Sequence, residues 1–349
     1  MSQRLDQQRL KHLGVTGAAA VIMLVAAISL SFMDARQVWA PSVSGPVLAN
    51  WSENVQSARE IEIINAQERF VIARTDAGWV MPSRDGYPVR PERLAALDNL
   101  LMSLEYEGAR TADPAKHARL SLATEGEENG GNRVILRDAE GNVLEDILLG
   151  TARGDTLYLR TPGEARTYAA RFDADVDTSL LGQPADEWLA LDFLALGRNE
   201  IAAAEIRPET GPQYRLVRAA QTSRNFSLRE PTGWQPITAG AGNGPATALG
   251  RLRFRDVRRM DRLTGSVVAF HTAETFSGMR VTLDIIAQGE TRWARIRTTA
   301  VTDDAEDDAA RIINASEGWA FLLSDLAVDR MIRPLDQIAN PRAAEADAP

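Results

Sequence analysis

No charged residue occurs between Lys11 and Asp34, counting histidine as neutral, and Val15 to Phe32 is almost wholly apolar or small. About 20 helical residues at roughly 1.5 Å each are enough to cross a hydrocarbon core of about 30 Å. Arg4, Arg9 and Lys11 precede the stretch and only Arg36 follows it closely. Positive charge stays on the cytoplasmic side, so the N-terminus is expected inside and the bulk of the chain outside. The competing reading is a cleaved signal peptide, for which Val38-Trp39-Ala40 is a passable cleavage tripeptide. Signal h-regions usually run about 7–15 residues, and this one is longer. Trp39 also suits an interfacial anchor. The expectation is a retained helix over residues 14–33, in which Gly14 and Ala18 form a small-xxx-small pair able to face a partner helix.

Composition narrows the remaining chemistry. The absence of cysteine excludes disulfides, thiolate metal sites and a cysteine nucleophile. Lys11 and Lys116 are the only lysines, so arginine carries nearly all positive charge. Removing Arg4, Arg9, Lys11 and Asp6 from a net charge of −9 leaves −11 from Asp34 onward. An exported region that acidic is a poor nucleic-acid binder.

After the apolar stretch, Ala35 to Ala49 holds Pro41, Ser42, Ser44, Gly45 and Pro46 without amphipathic period, and reads as a tether. Ile61, Ile63 and Phe70-Val71-Ile72 then flank a polar turn at Asn65 to Glu68. Asp76-Ala77-Gly78 supplies a further turn before Trp79-Val80-Met81. Arg90-Pro91-Glu92 opens a helix whose Leu94, Leu97, Leu100, Leu101 and Leu104 form one buried stripe. Arg133 to Leu136, a turn over Asp138 to Asn142, and Val143 to Leu149 predict a hairpin, with two more strands near Tyr158 and Tyr168.

The second half echoes the first. Leu101, Leu104, Tyr106, Arg110 and Asp113 match Leu249, Leu252, Phe254, Arg258 and Asp261 at a constant shift of 148. Arg133-Val134-Ile135-Leu136 matches Arg280-Val281-Thr282-Leu283 at 147, and Gly78-Trp79 matches Gly233-Trp234 at 155. Near-constant shifts in three ordered blocks predict two copies of one α+β unit. Asp186 to Leu196 would bridge them, its apolar face being Trp188, Leu189, Leu191, Phe193 and Leu194. The expected class is therefore α+β: an N-terminal transmembrane helix, then two related units, each an antiparallel sheet with a packed helix. The expected organisation is a cytoplasmic tail at 1–13, the membrane helix at 14–33 and a linker at 34–57. Unit 1 takes 58–185, the bridge and unit 2 take 186–338, and a disordered tail takes 339–349.

The chain also resembles a bacterial family known as domain of unknown function 4340. The resemblance rests on Gly78-Trp79, Gly86-Tyr87-Pro88, the leucine-rich helix, and Thr111-Ala112-Asp113-Pro114. It continues through Leu148-Leu149-Gly150, Trp188-Leu189 before Ile201, and Gly318-Trp319 to Ile338, so it spans about Ala58 to Ile338. It implies an anchored, envelope-facing protein associated with ABC-type transport systems, such as those of gliding motility. It carries no catalytic residues to transfer. The insert at Ala239 to Gly244 and the acidic run at Asp303 to Asp308 depart from it.

Individual residues point to no catalytic, cofactor or metal site. On the far side of the membrane stretch only His117 and His271 remain, each read as a surface or capping side chain, and no G-x-S-x-G elbow is present. Asp173, Asp175 and Asp177 begin like a calcium loop, but Thr178 stands where glycine is needed and Pro184 where a bidentate glutamate belongs. In a strand they would share one solvated face. Asp303, Asp304, Glu306, Asp307 and Asp308 read as a solvated loop. Gly240 to Gly244 lacks the lysine of a P-loop and reads as a flexible loop. Trp79 and Trp234 read as core residues at strand starts.

The leading functional expectation is a non-enzymatic accessory or scaffold protein in the bacterial inner membrane, single-pass and largely periplasmic. Its partners would be the bilayer, through residues 14–33, and other envelope proteins such as ABC-type transporter subunits; no nucleic acid is expected. A second reading is a binding module for a glycan, lipid or peptide in the groove between the copies. A third is an envelope hydrolase with paired carboxylates.

Overall fold

The computed structural model describes residues 21–29, 42–124 and 129–342. Residues 21–29 are helical with exposed side chains. The rest of the 14–33 expectation, and the 1–13 tail, lie outside the described residues. Among the described residues no helix is long and apolar enough to cross a membrane.

The fold is α+β with antiparallel sheets. Nine strands form the first sheet: β1 (Glu60–Ile64), β2 (Arg69–Thr75), β3 (Gly78–Met81), β4 (Tyr87–Pro88), β5 (Glu105–Ala109), β6 (Asn132–Arg137), β7 (Val143–Leu149), β8 (Thr156–Arg160) and β9 (Tyr168–Arg171). Their spatial order is β4-β3-β2-β1-β6-β7-β8-β9-β5. The second sheet uses β10 (Ile201–Arg207), β11 (Tyr214–Val217), β12 (Ser227–Glu230), β14 (Asp256–Arg259), β15 (Ser266–Thr275), β16 (Met279–Gln288), β17 (Thr291–Ala300) and β18 (Trp319–Leu322). Its order is β12-β11-β10-β15-β16-β17-β18-β14. A separate ribbon pairs β13 (Trp234–Pro236) with β19 (Ala339–Pro341).

Leaving β4 aside, adding nine to each strand number of the first sheet reproduces the second in order. In both sheets a helical segment leads into the strand at the far edge, β5 or β14, before the chain returns through a meander. The block matched at a shift of 148 falls at these equivalent places. The other two blocks do not. Arg133–Leu136 lies in β6, whose counterpart is β15, whereas Arg280–Leu283 lies in β16. Gly78-Trp79 opens β3, whereas Gly233-Trp234 leads into the β13 ribbon. A short alternating apolar run recurs in any half-buried strand, so four matched residues do not fix which strand is which.

Two compact units divide the chain, and they do not follow the expected 58–185 and 186–338 boundaries. One holds Met1–Ala58, Ile63–Gln67 and Ala96–Gly182; the other holds Arg59–Glu62, Glu68–Ala95 and Gln183–Pro349. The second unit takes Glu68–Ala95 because its large apolar groups bury there. Phe70 meets Trp188 at 5.8 Å between ring centroids. Tyr87 lies edge-on to Trp319 at 4.9 Å, and its hydroxyl reaches the carbonyls of Ala190 and Ala315.

In the first unit the leucine stripe is core. Helix α2 (Pro91–Ser103) begins at its proline, and Leu97, Leu100, Leu101 and the following Leu104 are each at most 1% exposed, while Leu94 is half-buried. The expected linker at 34–57 is shorter than the sequence suggests. The amide of Tyr106 donates to Gly45 O at 2.9 Å and that of Val47 to Leu104 O at 2.8 Å, laying the incoming chain on the edge of β5. Helix α1 (Trp51–Ser57) follows, with Trp51 buried and its indole N–H donating to Asp98 at 2.7 Å. The expected tail at 339–349 also starts too early, because Ala339–Pro341 is β19; residues 343–349 lie outside the described residues.

In the second unit the outer edge of β14 is closed by carboxylates. The Val257 amide donates to Asp256 at 2.8 Å and the Arg259 amide to Asp85 at 3.0 Å. Arg84 pairs with Asp256, and Arg262 with Asp85 at 2.6 Å. Amides satisfied by local side chains leave that edge a poor template for another strand.

Candidate functional site

The second unit carries an open groove of about 510 Å³. One wall is the segment after the short 3-10 turn Ala185–Trp188; the other is the stretch leading into β14. Trp188 and Leu189 are fully buried and tie that wall down, since the Arg90 amide donates to Trp188 O and its Nε to Leu189 O, both at 2.8 Å. Beneath lie Phe193, Phe254 and Phe321, with centroids 4.7–5.7 Å apart, and Tyr87 meets Phe321 edge-on. Burial raises the Tyr87 phenol above its ordinary pKa, with Asp192 acting in the same direction.

The rim is charged. Asp186 faces Arg255 at 3.7 Å, Asp192 faces Arg90 at 3.6 Å, and Glu187 faces Arg93 at 3.3 Å. Desolvation raises the Asp186 carboxyl above the usual range, with Arg255 opposing. Arg253 lines the groove as an exposed side chain. An apolar floor under mixed charge is suited to binding an amphipathic chain.

A second polar array sits on one face of the second sheet. Asp284, nearly buried, accepts from Arg295 at 2.6 Å and from Arg297 at 2.8 Å. Glu274 likewise lies between Arg215 at 2.7 Å and Arg280 at 2.9 Å. Burial pushes both carboxyls up, but the guanidinium bonds outweigh it and hold them below the usual range. Their contribution is therefore present above the ordinary carboxylate pKa of about 4 and is lost as pH falls below it.

The residues singled out by sequence are scattered. His117 lies in the 3-10 helix Pro114–Leu120, buried rather than at the surface, with Nε2 2.9 Å from Ala165 O. His271 is also no surface residue: it is fully buried in β15, with Nε2 2.9 Å from Pro245 O. Asp173, Asp175 and Asp177 lie in turns and their flanking loop, not a strand, and Asp177 accepts from the Ser179 amide. The acidic run is no loop either. It forms a 3-10 turn (Asp303–Ala305) and the first turn of α4 (Glu306–Ser316), where carboxylates favour the helix dipole.

The glycine-rich segment runs through turns into the short helix α3 (Asn243–Ala246), with Asn243 accepting from the Phe226 amide. Trp79 and Trp234 are half-buried rather than core, and Arg74 sits 5.8 Å from the Trp79 ring. Among the described residues no group of three or more histidine, aspartate or glutamate side chains is placed to hold a metal ion. The groove was not visible in the sequence. Its nearest signal was the apolar face of Asp186–Leu196, read there as a bridge.

Comparison with known families places residues 79–263 in the family described as "Domain of unknown function (DUF4340)". The match takes in more than half of the chain, and the chain belongs to that family. It starts at Trp79 and ends at Leu263, a narrower span than Ala58 to Ile338; it covers both groove walls and leaves out Gly318-Trp319 to Ile338. No curated protein and no solved structure matches the chain.

Proposed function

We propose that the chain is a membrane-anchored periplasmic accessory or scaffold protein that docks an envelope complex, an ABC-type transport system among the candidates. Residues 14–33 are the anchor, with the N-terminus in the cytoplasm. The observation that carries this reading is how the chain behind the apolar stretch is fastened: Gly45 and Val47 bond to the β5 edge and Trp51 is buried on Asp98. These contacts join the chain to the folded body from Gly45 onward. The transport association rests on the family resemblance. The matching strand orders support two related α+β units as the body.

The binding-module reading draws support from the groove, which lies within one compact unit rather than between two copies.

The test is made on the full chain in its native membrane. The chain should stay with the inner membrane after an alkaline wash. A reporter active only outside the cytoplasm, fused after Pro349, should be active. Purification in mild detergent should bring other integral membrane proteins with it. A mature N-terminus at Pro41 would overturn the anchor; a chain that purifies alone would overturn the scaffold.

A further inference from the structure

We infer that the groove receives an extended, carboxylate-bearing segment of a partner protein, which adds as a strand between the two groove walls. The inference deepens the docking role and rests on it. Residues 192–195 on one wall and 253–254 on the other lie outside the sheet strands. Along one, the amides of Asp192, Phe193, Leu194 and Ala195 make no hydrogen bond to another backbone group among the described residues. On the other, exposure alternates as in a strand: Leu252 and Phe254 turn inward, Arg253 and Arg255 outward. The amides of Arg253 and Phe254 are also without a backbone partner among the described residues.

Open backbone amides beside an apolar floor are the requirements for strand addition, in which main-chain bonds give affinity and alternate side chains give specificity. The contrast with the adjoining β14 edge is informative, because there Asp85 and Asp256 occupy the amides. Closure of one stretch beside openness of the next leaves the groove as the accessible template.

Charge selects the occupant. Arg253 makes no ion pair among the described residues. The contacts Arg255–Asp186 at 3.7 Å and Arg90–Asp192 at 3.6 Å are well beyond the ~2.7–2.9 Å of a charge-assisted bond. Arg253 and Arg255 can therefore turn to an incoming carboxylate without breaking a tight pair, while Arg90 stays bonded to Leu189 O and adds fixed positive charge at the rim. Alternate apolar side chains of the same segment would rest on Leu191, Leu194 and Phe254.

The test uses two fluorescent octapeptides, one alternating valine with glutamate and one alternating valine with lysine, against the full chain in detergent micelles. The glutamate peptide should bind saturably and more weakly as salt rises. On binding, alternate amides of the 192–195 stretch should exchange with deuterium more slowly, because successive N–H groups of an extended chain point to opposite sides. Arg253→Glu, at an exposed position, should leave thermal stability unchanged, weaken the glutamate peptide by about tenfold, and improve the lysine peptide. No saturable binding of the glutamate peptide by the native chain overturns the proposal. So does binding that Arg253→Glu leaves unchanged, or binding without amide protection, which marks charge attraction alone. Membrane retention and co-purification do not depend on this groove, so the docking role and the groove stand or fall separately.

Discussion

Leu101→Ala is expected to destabilise the full chain by about 2–5 kcal/mol, the usual range when a leucine-sized cavity opens in a packed core. The helix that carries it starts at Pro91, and Leu97, Leu100 and Leu101 recur along one face at three- and four-residue steps. Leu101 and Leu104 end that stripe where the chain turns into β5, the edge strand that also holds the incoming chain through Val47 and Gly45. Nothing polar can refill the space, because the neighbouring stripe residues are aliphatic and equally buried. Urea unfolding in mild detergent measures the loss. A change below about 0.5 kcal/mol would mean that the helix face is not packed as described.

That stripe was legible in the sequence because its signal is local: proline in the first turn, then leucine at helical spacing. The β6–β7 hairpin was legible for the same reason, with Asp138 to Asn142 between two alternating runs. The strand order was not, since β1 neighbours β6 across a long stretch of chain and no short motif records that. The repeat register failed at Arg133 and Arg280 because half-buried strands share a pattern whatever their place in the sheet. Trp51 was missed within a Pro- and Ser-rich approach; only its partner Asp98, nearly fifty residues on, shows why it is fixed. The groove has the weakest signature of all. Its walls at Asp192 and Arg253 are far apart in sequence, and its distinguishing feature is backbone left unpaired, which leaves no mark on residue type.

His271 should make the fold sensitive to mild acid. It stands in β15 opposite Leu283 on β16 and Ile206 on β10, with no exposure to solvent. Its Nε2–H donates to Pro245 O in α3, and among the described residues Nδ1 makes no hydrogen bond to another residue. Burial lowers its pKa to about 4, the backbone bonds opposing, and no charged neighbour contributes to the shift. The unfolded chain takes up a proton near pH 6.5, whereas the folded chain resists until about 4. A depressed folded pKa gives stability that is present above the unfolded pKa and lost as pH falls toward the folded one. The window is therefore pH 6.5 down to about 4, and a gap of that size corresponds to about 3 kcal/mol. His271→Leu removes the titration together with the bond to Pro245, so it lowers stability at pH 7 and flattens the pH dependence. The gap between native chain and variant should narrow steadily as pH falls from 7 to 4.5, a range where most carboxylates remain ionised. Denaturation midpoints measured on both proteins across that range decide it, and parallel curves would show that the imidazole does not titrate in the core as argued.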